Sequence, residues 1–135
     1  MNLDPSAFVA DPDLILDLEK QSSPIFCDED RSLFRIGDDS TGLYILKSGA
    51  VTLTLSSATG KELASIQAAA GSLLGLPALV GDQPYTLTAI AHPGARLSYL
   101  TRDNFNDLVR NDALLFQRVL EVLAAEIRAA RSAIL

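Results

Sequence analysis

From Pro24 to Leu100 apolar residues recur at every second position in short runs broken by glycine-bearing turns, and from Thr101 onward the period becomes helical. Alternation of this kind buries one face of each strand and solvates the other, so the segment has to close its strands around a core. Candidate strands are Ile25–Cys27, Leu33–Arg35, Leu43–Lys47, Val51–Leu55, Glu62–Gln67, Thr86–Ala91 and Leu97–Leu100. Between them lie turn clusters such as 37–42 (Gly-Asp-Asp-Ser-Thr-Gly) and 56–60 (Ser-Ser-Ala-Thr-Gly). Many short strands joined by tight turns make a sandwich or a jelly-roll barrel.

The two ends carry different patterns. Residues 1–11 have little periodicity and read as a loose arm, and Asp11 with Pro12 then supplies an N-cap and first helical position for a short helix over 13–20. At the other end, Thr101-Arg-Asp103 opens a helical stretch that runs to Leu135. Within it Phe116, Leu120, Leu123, Ile127, Ala130 and Ile134 alternate spacings of four and three, the a/d seam of a helix pair. A second stripe, Leu115, Val119 and Val122, widens the apolar surface, so the helix is expected to pack on its own barrel and, through the seam, on a second copy.

At 135 residues, 48% of them apolar, the chain reads as one domain: arm and short helix over 1–23, β-roll over 24–101, C-terminal helices over 102–135. The net charge of -6 opposes general binding to nucleic acid or anionic membranes. Residues 1–40 hold ten acidic against three basic side chains, which concentrates the excess on the arm and first turns. Cys27 is the single cysteine and forms no internal disulfide; with no basic-then-apolar leader, the reading is cytoplasmic. The longest weakly polar run, 68–80, is interrupted by Gly71, Gly75 and Pro77 and is too short to span a bilayer.

The glycine-punctuated segment 33–55 and the segment 70–91 together resemble a cyclic-nucleotide-binding domain, the sensor module of catabolite-activator (Crp/Fnr-type) regulators and of cyclic-nucleotide-dependent kinases and channels. The resemblance implies a double-stranded β-helix jelly roll followed by a short helix and a long C-terminal helix. It also implies a phosphate-binding cassette over 71–86. Gly71 and Gly75 match the cassette glycines, Ala78 and Leu79 its small and apolar helix positions, and Thr86 its hydroxyl residue. Two matches fail. Leu76 stands where the family has the glutamate that accepts from the ribose, and Tyr85 where it has the arginine that holds the phosphate; Pro77 also removes an N–H from the cassette turn. A phenol in place of a guanidinium forfeits a charged hydrogen bond of about 1.5–3 kcal/mol. Cyclic AMP or GMP is therefore expected to bind weakly or not at all. Tyr85 and Leu76 either fill the cavity or, with Pro77, Ala78 and the hydroxyls of Tyr85, Thr86 and Ser72, line a pocket for another molecule. The nearest cations in sequence, Lys61, Arg96 and Arg102, read as solvated surface charges.

Other chemistries have less support. A metal-dependent jelly-roll enzyme needs several histidines, and His92, beside Pro93-Gly94, is the only one; an iron–sulfur site needs several cysteines. Cys27 reads as a small buried hydrophobe, and 28–30 (Asp-Glu-Asp) with Asp38-Asp39 as solvated turns. The expectation is a non-catalytic regulatory sensor or interaction domain with no cofactor or metal and no direct contact with DNA or membrane. It would be a homodimer through its C-terminal helix and would bind a protein partner or an unidentified small ligand. The alternative is a working nucleotide-binding domain of a regulator whose DNA-binding part lies elsewhere, and the third, distant, reading is a small jelly-roll enzyme.

Overall fold

A computed structural model describes residues 3–134, with side chains as far as Ser132. Eight strands form two four-stranded antiparallel sheets, the jelly roll that the alternation predicts. In chain order these are β1 (Ser23–Phe26), β2 (Arg31–Phe34), β3 (Gly42–Ser48), β4 (Val51–Ser56), β5 (Glu62–Gln67), β6 (Leu73–Leu74), β7 (Thr88–Ala91) and β8 (Arg96–Thr101). One sheet has the order β1-β8-β3-β6 and the other β2-β7-β4-β5, so every strand but β5, which pairs with the preceding β4, has a partner far away in sequence. Period-two burial is clearest in β4, where Val51 and Leu53 face the interior and Thr52 and Thr54 are only half-buried. Strand β6 is too short to show a period. It is recognisable only through its pairing of Leu73 and Leu74 with Ile45 and Tyr44 of β3.

Four α-helices complete the fold: α1 (Pro12–Glu19), α2 (Leu76–Gly81), α3 (Arg102–Asn111) and α4 (Ala113–Ile134). Asp11 caps α1 by accepting from the Leu14 N–H at 3.0 Å, and Thr101 caps α3 by accepting from the Asn104 N–H at 3.2 Å. The C-terminal helical stretch breaks at Asp112, whose extended backbone ends α3 and whose carboxylate caps α4 through the Leu115 N–H. Two core clusters result. One fills the roll between the sheets, with Phe8, Phe34, Leu53, Leu74, Tyr85 and Leu97; the other lies beneath the helices, with Leu14, Leu18, Leu76, Leu100, Phe105 and Leu115.

The N-terminal arm is not loose. Residues Pro5–Phe8 form a 3-10 turn capped by Asp4, Phe8 is 6% exposed in the roll core, and α4 packs on the turn. Too few residues are involved for any period to appear, and what orders them is the apolar surface they cover. Arg118 adds a second tie, donating from α4 to Asp11 at 2.9 Å and Asp17 at 3.3 Å across α1.

Because Phe8 fills core volume, Phe8→Ala is expected to lower the unfolding free energy by about 3–5 kcal/mol in urea denaturation, whereas a residue on a loose arm would change it by less than about 0.5 kcal/mol.

Candidate functional site

The cassette segment runs from β6 through α2 to β7 and faces the mouth of the roll. Gly75 turns the chain into α2 with φ of +92°, and a Cβ there would meet the Tyr85 ring at 2.8 Å, so only glycine fits both the backbone and the neighbour. Pro77 sits in the first turn of α2, where its missing N–H breaks no helical hydrogen bond but leaves one donor fewer at that end.

Tyr85 occupies the interior of the cassette. Its ring stacks on Phe34 at a centroid distance of 4.0 Å and 13° between planes, and it is 3% exposed. Its hydroxyl donates to the Gly42 carbonyl at 2.9 Å and accepts from the backbone N–H of Thr41 at 3.1 Å and of Gly42 at 3.3 Å. Its backbone is held by the same loop, donating to the Asp38 carbonyl and accepting from the Gly37 N–H. Both ends of the side chain are therefore satisfied from within the protein. The cavity left among Phe34, Leu53, Leu74, Ala78, Tyr85 and their neighbours is about 10 Å³, room for a single water.

The remaining predicted pocket residues divide. Gly75, Pro77, Ala78 and Thr86 line this residual cavity with Tyr85. Ser72 and Leu76 do not. The Ser72 hydroxyl donates to the Ala69 carbonyl at 2.6 Å, and Leu76, fully buried, faces the core beneath the helices, so the cavity is filled by Tyr85 and not by Leu76. The reason is helical geometry: one turn of α2 presents opposite faces to two different cores. Arg102 also departs from the surface reading. It donates to the Ser40 carbonyl at 2.9 Å and pairs with Asp82 at 3.1 Å, joining the loop before β3 to the end of α2. Lys61 and Arg96 are exposed, as read, and Arg96 lies over the Phe26 ring.

On α4 the two stripes separate. Leu115 and Val119 are buried against the protein's own core, while Phe116, Leu120 and Ile127 of the seam are 36%, 39% and 49% exposed. Leu123 and Ala130 are half-buried, and the Ile134 side chain lies outside those described. Sequence reasoning missed Glu126. It continues the buried stripe at four residues beyond Val122, and that is the signal that could have found it. The residue is 6% exposed and lines the cassette mouth, its Oε1 has no hydrogen-bond partner among the described residues, and burial pushes its carboxyl up to about 8.

Other candidate chemistries find no assembled site. Cys27 is buried in the roll core. His92 is not simply a turn residue: its Nε2 meets Thr52 Oγ1 at 2.6 Å and its Nδ1 meets Asp30 at 3.1 Å. Among the described residues no group of three or more His, Cys, Asp or Glu side chains is placed to hold a metal, and no helix is long and apolar enough to cross a membrane.

A jelly roll with a one-turn cassette helix at its mouth and a long helix across it has the architecture of a regulatory ligand-sensing domain. Residues 25–112 match the family model of the cyclic nucleotide-binding domain, and the chain belongs to that family. Solved structures agree in fold. The Thermus thermophilus catabolite activator protein superposes with a TM-score of 0.75 at 23% identity, covering 97% of this chain and 62% of that one. The N-terminal domain of a Streptomyces coelicolor A3(2) transcriptional regulator gives 0.65 at 24%, covering 98% and 92%. The sensor domain of the regulator DNR from Pseudomonas aeruginosa gives 0.66 at 20%, covering 90% and 82%. The chain thus spans less than two thirds of the Thermus protein. No curated protein matches it.

Two outcomes follow from the geometry. Tyr85→Phe keeps the stack but leaves the Gly42 carbonyl and two N–H groups without their partner, and is expected to cost about 1–3 kcal/mol in chemical denaturation. For Glu126 the folded carboxyl holds its proton to about 8 and the unfolded one only to 4.5. Between these values the unfolded state binds fewer protons, so stability is full below 4.5 and falls as pH rises toward 8, by an amount on the order of 5 kcal/mol. Glu126→Gln is expected to remove that fall, which denaturation curves at both ends of the window would measure.

Proposed function

We propose that this chain is a non-catalytic regulatory domain whose nucleotide pocket is closed by its own side chains and whose output surface is the exposed seam of α4. The observation that carries the reading is Tyr85. It stands where the resemblance places the phosphate-holding arginine, stacks on Phe34, and leaves about 10 Å³ where a nucleotide would have to enter. A phosphate brought there would meet a phenol already committed to Gly42 and a cassette turn one N–H short, and nothing in the site compensates its desolvation. The regulatory part of the reading has independent support, since two of the similar structures are of transcription regulators and a third is a catabolite activator protein.

The seam supports pairing with a second copy. Phe116, Leu120 and Ile127 form an apolar row that the protein's own core does not use, on the helix that also closes the cassette mouth. Ligand- or partner-dependent movement at the mouth would then be felt as a change in how two α4 helices pack, with α3 between them and the roll as the hinge. A protein partner or a small ligand other than a cyclic nucleotide supplies the signal.

Calorimetric titration with cyclic AMP and cyclic GMP is expected to show no saturable binding at millimolar concentration; saturation in the micromolar range would overturn the closed-pocket reading. Sedimentation of the wild type is expected to show a dimer, with Leu120→Glu and Ile127→Glu weakening association by about 100-fold or more while leaving the melting temperature nearly unchanged.

A further inference from the structure

At the mouth of the cassette, between α4 and the open end of the roll, lies a groove of about 280 Å³ that shares Phe8, Pro77, Thr86, Leu87 and Glu126 with the small cavity beside Tyr85. Its other walls are Leu3 of the arm, Leu55 at the end of β4, and Ile127 and Ala130 of α4. This is close to the lower bound of small-molecule sites, roughly 300 Å³, and the lining is almost wholly apolar. Glu126 is the one titratable group in that lining, and Oε1 of this carboxyl is buried without a partner among the described residues.

A carboxyl in this position is costly. The three preceding members of its stripe are Leu115, Val119 and Val122, and an aliphatic residue at 126 would continue them without burying a polar atom unpaired. A donor from outside recovers that cost, and the donors differ in how much they recover. A neutral hydroxyl supplies a hydrogen bond to the protonated carboxyl and no counter-charge. An ammonium supplies both a charge-assisted hydrogen bond and the counter-charge, so its binding releases the Glu126 proton to solvent and holds the carboxylate form, whereas an anion opposes that form. The apolar walls then require that the rest of the molecule be hydrocarbon or aromatic.

We propose that this groove is a binding site for a small amphipathic amine, its apolar body against Leu87 and Ile127 and its ammonium donating to the Glu126 carboxylate. The proposal rests on the regulatory reading above and names the ligand class at that mouth; failure of the amine titration would leave the cyclic-nucleotide titration to decide the closed-pocket reading by itself, since the two ligands carry opposite charge.

The test is titration of the full chain with n-hexylamine, 1-hexanol and hexanoate, followed by methyl resonances of Leu55, Leu87 and Ile127. Saturable shifts at those methyls, with the amine at least about tenfold tighter than the alcohol and the acid, are expected. Glu126→Gln should lose about that tenfold for the amine and leave the alcohol unchanged, and Leu87→Trp should block both while retaining the wild-type circular dichroism. Equal binding of amine and alcohol would overturn the proposal as apolar adsorption, as would amine binding that is insensitive to Glu126→Gln. If no amine binds at millimolar concentration and Glu126→Gln instead changes the dimer dissociation constant, the groove is covered by a second copy and the proposal fails.

Discussion

The stack of Tyr85 on Phe34, with the Tyr85 hydroxyl shared among Gly42 and Thr41, organises the mouth of this roll. It draws together three stretches that are remote in sequence: β2, the loop leading into β3, and the segment leaving α2. A charged side chain in that place would need a ligand to balance its burial, whereas a tyrosine is satisfied by backbone groups already present. The loop–cassette contact is thereby held without any occupant. Gly75 belongs to the same arrangement, since its missing Cβ is what admits the Tyr85 ring so close to the start of α2.

The long helix α4 meets this mouth from the other side. The helix has two apolar stripes with opposite fates, one buried on the protein's own core and anchored by the Arg118 pairs to α1, the other left in solvent. Glu126 sits where the buried stripe passes the mouth, so the helix meets the roll there through a carboxyl whose Oε1 has no partner among the described residues, and not through hydrocarbon. The same helix therefore touches the mouth on one side and carries an exposed apolar row on the other, and under the proposed function a signal would pass between these two faces.

Much of the architecture was legible because its signals are local and repeated. Val51–Thr54 alternates between apolar and polar residues, Asp11-Pro12 and Thr101 announce helix starts through capping chemistry, and Leu115, Val119 and Val122 share a helical face. The features that were misread have no such repetition. Strand β6 has two residues and exists because β3 offers it partners, and the arm is ordered because Phe8 finds a gap in the roll. Arg102 looked like a helix-start surface charge until folding set the Ser40 carbonyl and Asp82 beside it.

The sequence by itself determined the class of fold and the family, because periodicity and residue identity at spaced positions survive without coordinates. Only the tertiary structure decided that the Tyr85 ring lies inside the cassette while Leu76 faces the other core, and that Glu126 lies buried beside an apolar groove. Those outcomes depend on which side of a single helical turn faces which layer, and on contacts between residues 43 to 51 positions apart, such as Tyr85 with Gly42 and Phe34. No local propensity encodes them, since they are settled by how the two sheets and α4 share the volume at the mouth of the roll.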